Sequence, residues 1–119
     1  MTESDASVFD AERFAQVCDH DAEFQREVIG EFLEELGPRL ERIAAAVESG
    51  DAQAVRETAH ALKGSSASLG AASLAEACDT LESLGRNAEL EAAPATLESV
   101  RHEAERLRAA LEASTGDSG

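Results

Sequence analysis

Apolar residues in this chain recur every three or four positions through four successive segments, and that spacing commits most of it to amphipathic helices. Phe24, Val28, Phe32, Leu36, Leu40, Ile43 and Val47 form the longest stripe. Val55, Ala59, Leu62, Ser66 and Leu69 form a second, Leu74, Cys78, Leu81 and Leu84 a third, and Leu97, Val100, Ala104, Leu107 and Leu111 a fourth. Each stripe covers one side of a helix and must be buried against another element. No segment alternates with the period of two that a half-buried strand requires. The pattern predicts an all-α fold: an antiparallel four-helix bundle, up-down-up-down, with a short extra N-terminal helix from about Val8 to Cys18.

Local signals place the helix ends. Asp19 and Asp21 offer N-caps for the second helix, and Pro38 should kink it or divide it near Gly37, although the stripe keeps its phase and suggests one bent rod. Gly50 reads as a stop and Asp51 as the cap of a third helix that runs to about Leu69 and ends at Gly70. Ser73 with Glu76 has the spacing of a capping box for the fourth helix, which Gly85 should end. The last helix should start near Pro94. Residues 1–7 are expected to be a flexible N-terminus, 8–113 one bundle domain and 114–119, rich in Gly and Ser, a flexible tail.

Composition narrows the function classes. The 25 acidic residues against 10 basic ones give a formal charge of -15, which repels nucleic acid and anionic membrane surfaces alike. No run of about 18 apolar residues exists, and the acidic start MTESDASVFD lacks the basic and apolar regions of a signal peptide, so a soluble cytoplasmic protein is expected. Cys18 and Cys78 show no ligand-like spacing and read as small buried hydrophobes in a reducing compartment.

The third helix carries the chemistry. Its apolar stripe faces the core, and at about 100° per residue His60 points roughly 140° away from Val55, out of the bundle. Arg56, Lys63, Gly64 and Ala67 share that outward sector, at positions four before and three, four and seven after the histidine. Gly64 in mid-helix costs about 1 kcal/mol relative to alanine, and a surface admitted close to the imidazole would offset that cost. Lys63 is the only lysine in the chain. A neutral imidazole, with a reference pKa of about 6.5, is a competent nucleophile towards a phosphoryl donor, and adjacent cations stabilise the charge that arrives. The face offers no carboxylate arranged to orient a base and no triad-like set, so a partner must complete the chemistry.

The run His60-Ala61-Leu62-Lys63-Gly64-Ser65-Ser66-Ala67-Ser68-Leu69-Gly70-Ala71, with Gly50-Asp51 before it and Leu84-Gly85-Arg86 after it, resembles the signature of histidine-containing phosphotransfer domains. The resemblance covers about residues 8–113 and implies that His60 is phosphorylated, Lys63 supports the phosphoryl group and Gly64 admits a response-regulator receiver domain. Arg86 matches a position where similar proteins place a basic residue near the histidine, and Arg56 and Ala67 are further supporting candidates. The implied partners are receiver domains and an upstream hybrid sensor kinase. The chain would need no cofactor of its own, the Mg²⁺ residing in the receiver. Phe14, Val17, Ile29 and Leu33 are candidates for the docking surface. No GxxxxGK[ST] element is present, so the chain is not expected to phosphorylate itself, and a bundle completed by its own helices is expected to be a monomer.

Two other readings compete. A metal-binding bundle would need paired inward Glu-x-x-His ligands, but Glu57-Thr58-Ala59-His60 is a single such element whose histidine faces out, and His20 and His102 lie on other segments. The other is a helical adaptor that binds a signalling partner without phosphotransfer.

Overall fold

A computed structural model describes residues 7–116 and is built from helices: α1 Ala11–Val17, α2 Ala22–Ser49, α3 Ala52–Leu69, α4 Ala72–Arg86 and α5 Ala93–Gly116, with a 3₁₀ turn at Leu90–Ala92 leading into α5. Among the described residues there is no strand. Consecutive long helices pack side by side and α5 closes the ring against α2, which is the expected four-helix bundle. The 28 residues of α2 span about 42 Å at 1.5 Å per residue, matching the 43 Å long axis of the molecule. No described helix is long and apolar enough to cross a membrane.

Aspartates start three of the helices. Asp10, Asp21 and Asp51 each accept a hydrogen bond from the backbone N–H three residues on, at 3.2, 3.1 and 3.1 Å, which satisfies an otherwise orphaned donor. Of the two caps expected for α2 only Asp21 serves. Asp19 and His20 instead form a left-handed turn, with φ of 61° and 59°. Gly50 and Gly70 end α2 and α3 with φ of 69° and 93°.

Three expectations about boundaries need correction. The Ser73–Glu76 capping box does not form: Ala71 occupies the N-cap without a side-chain bond, and Ser73 lies inside α4. The turn is too tight for it, because Gly70 and Ala71 donate straight back to the carbonyls of Ala67 and Ser66 at 3.1 and 2.8 Å, and α4 starts at the next residue. Gly85 does not end α4, which continues through Arg86 and turns at Ala88 with φ of 57°. Pro38 sits on the exposed side of one continuous α2, the single rod that the unbroken phase of the stripe suggested, and does not divide it. The C-terminal helix extends past Ala113 to Gly116, leaving only 117–119 of the expected tail outside the described residues; of 1–7, residues 1–6 lie outside them and Ser7 is helical.

The four stripes meet in one core. Leu36, Ile43, Val55, Leu62, Leu74, Leu81, Val100, Leu107 and Leu111 are fully buried, and Phe9 stacks obliquely on Phe14 at 5.6 Å where α1 closes the Gly70 end of the bundle. Phe24 departs from the pattern: it lies in the opening turn of α2 and remains 47% exposed, so the stripe outruns its cover. Cys18 and Cys78 are both buried free thiols. Burial, then the negative charge of Glu82, pushes the Cys78 thiol up to about 12, which keeps it protonated and unreactive.

Candidate functional site

Helices α3 and α4 form a hairpin about Gly70–Ala71, so residues equally distant from that turn meet across the pair. His60 lies eleven residues before Ala71 and Glu82 eleven after it, while Lys63 and Asp79 lie eight before and eight after. At Gly85 the two backbones touch. A Cβ there would lie 2.6 Å from the Arg56 nitrogen and 2.8 Å from the Ala52 carbonyl oxygen. One turn further along each helix, this close approach brings His60 and Glu82 into contact.

His60 projects outward as its helical phase requires, with a side chain 67% exposed. Its Nδ1 lies 2.9 Å from Oε2 of Glu82, a residue buried between the helices. An ionised carboxylate only accepts, so Nδ1–H donates and the proton is fixed on that nitrogen. Nε2 is left with a bare lone pair on the open side of the ring. The expectation that this face lacks an orienting carboxylate is therefore wrong. The carboxylate comes from α4, which helical phase within α3 cannot reveal.

Glu82 is the hub of the site. Lys63 Nζ is 2.8 Å from Oε1, a tight ion pair approached off the hydrogen-bonding direction, and Arg86 Nη2 donates to Oε2 at 3.2 Å. Burial alone would raise the Glu82 carboxyl, but the adjacent Lys63 ammonium and then the His60 hydrogen bond outweigh it and hold the group below its ordinary value. Lys63 also donates to Asp79 Oδ1 at 3.1 Å, and the carboxylates of Glu82 first and Asp79 second hold its ammonium above the usual lysine range.

The other sequence candidates are distributed around this cluster. Arg86 belongs to it through Glu82. Arg56 is exposed beside it and, among the described residues, makes no ion pair. Ala67 is exposed and lines a shallow cavity of about 370 Å³ with Asp10, Arg13, Gly70, Ala72 and Ala75. Of the docking candidates, Phe14 and Ile29 are buried at 4% and 3% and belong to the core, because α1 and α2 each turn that edge inward. Val17 is 67% exposed, and Leu33 packs half-buried against the core. Sequence reasoning missed Glu82 and Asp79, although counting outward from Gly70–Ala71 finds both.

Gly64 has open space where its side chain would be: nothing lies within 4 Å of the point a Cβ would occupy. Helix packing therefore does not account for the glycine. Gly64→Ala is expected to raise folding stability by up to about 1 kcal/mol in chemical denaturation. Gly64→Gln should fold equally well yet slow any reaction that needs a protein surface against His60, and unaltered transfer rates in that variant would refute the access role.

The chain is similar to known proteins in sequence pattern and in fold. The Hpt domain model matches residues 27–110. The crystal structure of histidine-containing phosphotransfer protein B from Pseudomonas aeruginosa PAO1 is similar, with a TM-score of 0.84 and 33% identity over 90% of this chain and 93% of that one. No curated protein sequence matches the chain.

Proposed function

The chain belongs to the Hpt domain family, whose members are phosphocarriers rather than kinases, and on that premise we propose that His60 Nε2 accepts a phosphoryl group from a receiver-domain aspartyl phosphate, or a kinase, and passes it to a response-regulator receiver. The observation that carries the reading is the Nδ1 contact to Glu82, which leaves Nε2 as the nucleophile on the accessible edge of the ring.

The transfer follows from these atoms. The Nε2 lone pair attacks phosphorus, the bond from phosphorus to the aspartyl oxygen breaks, and the electron pair returns to the departing carboxylate. Nδ1 keeps its proton, so the product ring is a phosphoimidazolium whose positive charge faces the Glu82 carboxylate. Protonation also makes the imidazole a good leaving group for the reverse step. The Mg²⁺ that screens the phosphoryl oxygens belongs to the receiver. Its docking surface on this chain combines the gap at Gly64 and the small exposed Ala61, Ala67 and Ser68 with the apolar Val17 and Leu33. The chain acts as substrate and intermediate, paired with receivers and a hybrid sensor kinase, without nucleic acid or membrane, as a cytoplasmic monomer.

Incubation with a phosphorylated receiver and Mg²⁺ should place acid-labile, base-stable label on the wild type. His60→Gln should acquire none while remaining folded. Label persisting in that variant would refute the assignment, and tight stoichiometric receiver binding without any label would favour the adaptor reading.

A further inference from the structure

The only lysine in the chain, Lys63, is already engaged by carboxylates before any phosphoryl group arrives. Its ammonium is shared between two carboxylates of α4, Glu82 at 2.8 Å and Asp79 at 3.1 Å, and these two differ in what their release would cost. The Glu82 side chain is 6% exposed and already engaged by His60 and Arg86, whereas Asp79 is 58% exposed and, among the described residues, has Lys63 as its one ion-pair partner. Water readily replaces an ammonium at Asp79; it cannot at Glu82. Resting on the phosphocarrier reading, we propose that Asp79 is a positioning residue that latches Lys63 in the unphosphorylated protein and competes with the phosphoryl group of phosphorylated His60 for the same ammonium, thereby setting the lifetime of the phosphohistidine.

The groups facing Lys63 define the competition. From α3 these are His60 one turn back and Arg56 beyond it; from α4 they are Asp79, Glu82 and Arg86. A phosphoryl dianion on Nε2 adds a third anionic partner, and the flexible four-carbon stem of Lys63 can turn between them while Glu82 stays fixed. In hydrolysis a water oxygen bonds to phosphorus as the bond from phosphorus to Nε2 breaks. The electron pair returns to Nε2, and inorganic phosphate leaves. Lys63 stabilises the phosphoryl dianion before that step, so its partial engagement by Asp79 shortens the life of the phosphorylated state.

Loading with phosphoramidate tests this without a receiver: the ring nitrogen displaces ammonia at phosphorus, and decay of the phosphohistidine is followed by ³¹P NMR. Asp79→Asn should lengthen the half-life about threefold, the size expected of an exposed ion pair. Lys63→Ala should shorten it, and Asp79→Asn in the Lys63→Ala background should add nothing. Equal lengthening in both backgrounds would reduce Asp79 to simple repulsion, and an unchanged or shorter half-life in Asp79→Asn would also overturn the latch. Thermal melting should be nearly unaltered in Asp79→Asn, and Asp79→Asn should lower it no further in the Lys63→Ala background, which separates the effect from a structural one. If wild-type His60 fails to take the label at all, the phosphocarrier reading falls and the latch with it. If it loads and decays as expected but exchanges with no receiver, the relay reading alone fails.

Discussion

Gly85→Ala is expected to destabilise the fold by about 1–3 kcal/mol, although alanine is the better helix former by about 1 kcal/mol. The added Cβ would lie 2.6 and 3.0 Å from the Arg56 nitrogen and Cα and 2.8 Å from the Ala52 carbonyl oxygen, all backbone atoms that no rotamer change can move aside. Relief requires α3 and α4 to separate. Since Glu82 and His60 lie one turn beyond this contact, the same separation should stretch their 2.9 Å interaction and lower phosphotransfer as well as stability. Urea unfolding of Gly85→Ala beside Gly64→Ala makes the comparison internal, because both sites are helical and only one is open. The two changes should move stability in opposite directions; matching signs would show that the interhelical contact is not what holds position 85.

Glu82→Ala should lower the rate of phosphoryl transfer about ten- to a hundredfold, the size of one charge-assisted hydrogen bond of ~1.5–3 kcal/mol realised in the reaction. Without the carboxylate the imidazole is free to place its proton on either nitrogen and to turn about its bonds, and the positive charge of the phosphoimidazolium loses its counterion. Glu82→Gln keeps an oxygen acceptor for Nδ1–H and should fall between wild type and alanine. Stopped-flow or quenched-flow transfer from a phosphorylated receiver distinguishes these cases. Rates equal to wild type in Glu82→Ala would mean that ring orientation does not limit transfer.

The same carboxylate links stability to pH. Its folded-state pKa lies below the unfolded value, so the stability it contributes is fully present above the ordinary carboxylate value of about 4.3 and is lost as pH falls through the depressed folded value. The stability gap between wild type and Glu82→Ala should accordingly close in acid.

The outward face of α3 was legible in the sequence because phase within one helix depends only on the spacing of its own residues. The stripe Val55, Ala59, Leu62, Ser66 and Leu69 is buried in full, and His60 and Gly64 stand out of it as that phase requires. The cluster that completes the site was not legible in that way. Glu76, Asp79 and Glu82 are three acidic residues at equal spacing on α4, and only the register of the hairpin decides which of them meets His60. The register follows from the tight turn, whose two backbone hydrogen bonds leave no slack between α3 and α4. Glycine illustrates the same limit. Gly64 and Gly85 both interrupt amphipathic patterns, yet one faces open space and the other another helix's backbone, a difference that no property of the residue itself encodes. Phe24 fails for a related reason: a stripe says which side turns inward, but not how far the covering helices extend.

The central claim concerns one atom, and ³¹P with ¹H–¹⁵N NMR on the protein after exchange with a phosphorylated receiver and Mg²⁺ tests it most directly. The proposed assignment predicts one phosphoryl group per chain, bonded to Nε2 of His60, with Nδ1 still protonated against Glu82. A phosphoryl group on Nδ1, or on any residue other than His60, would contradict it.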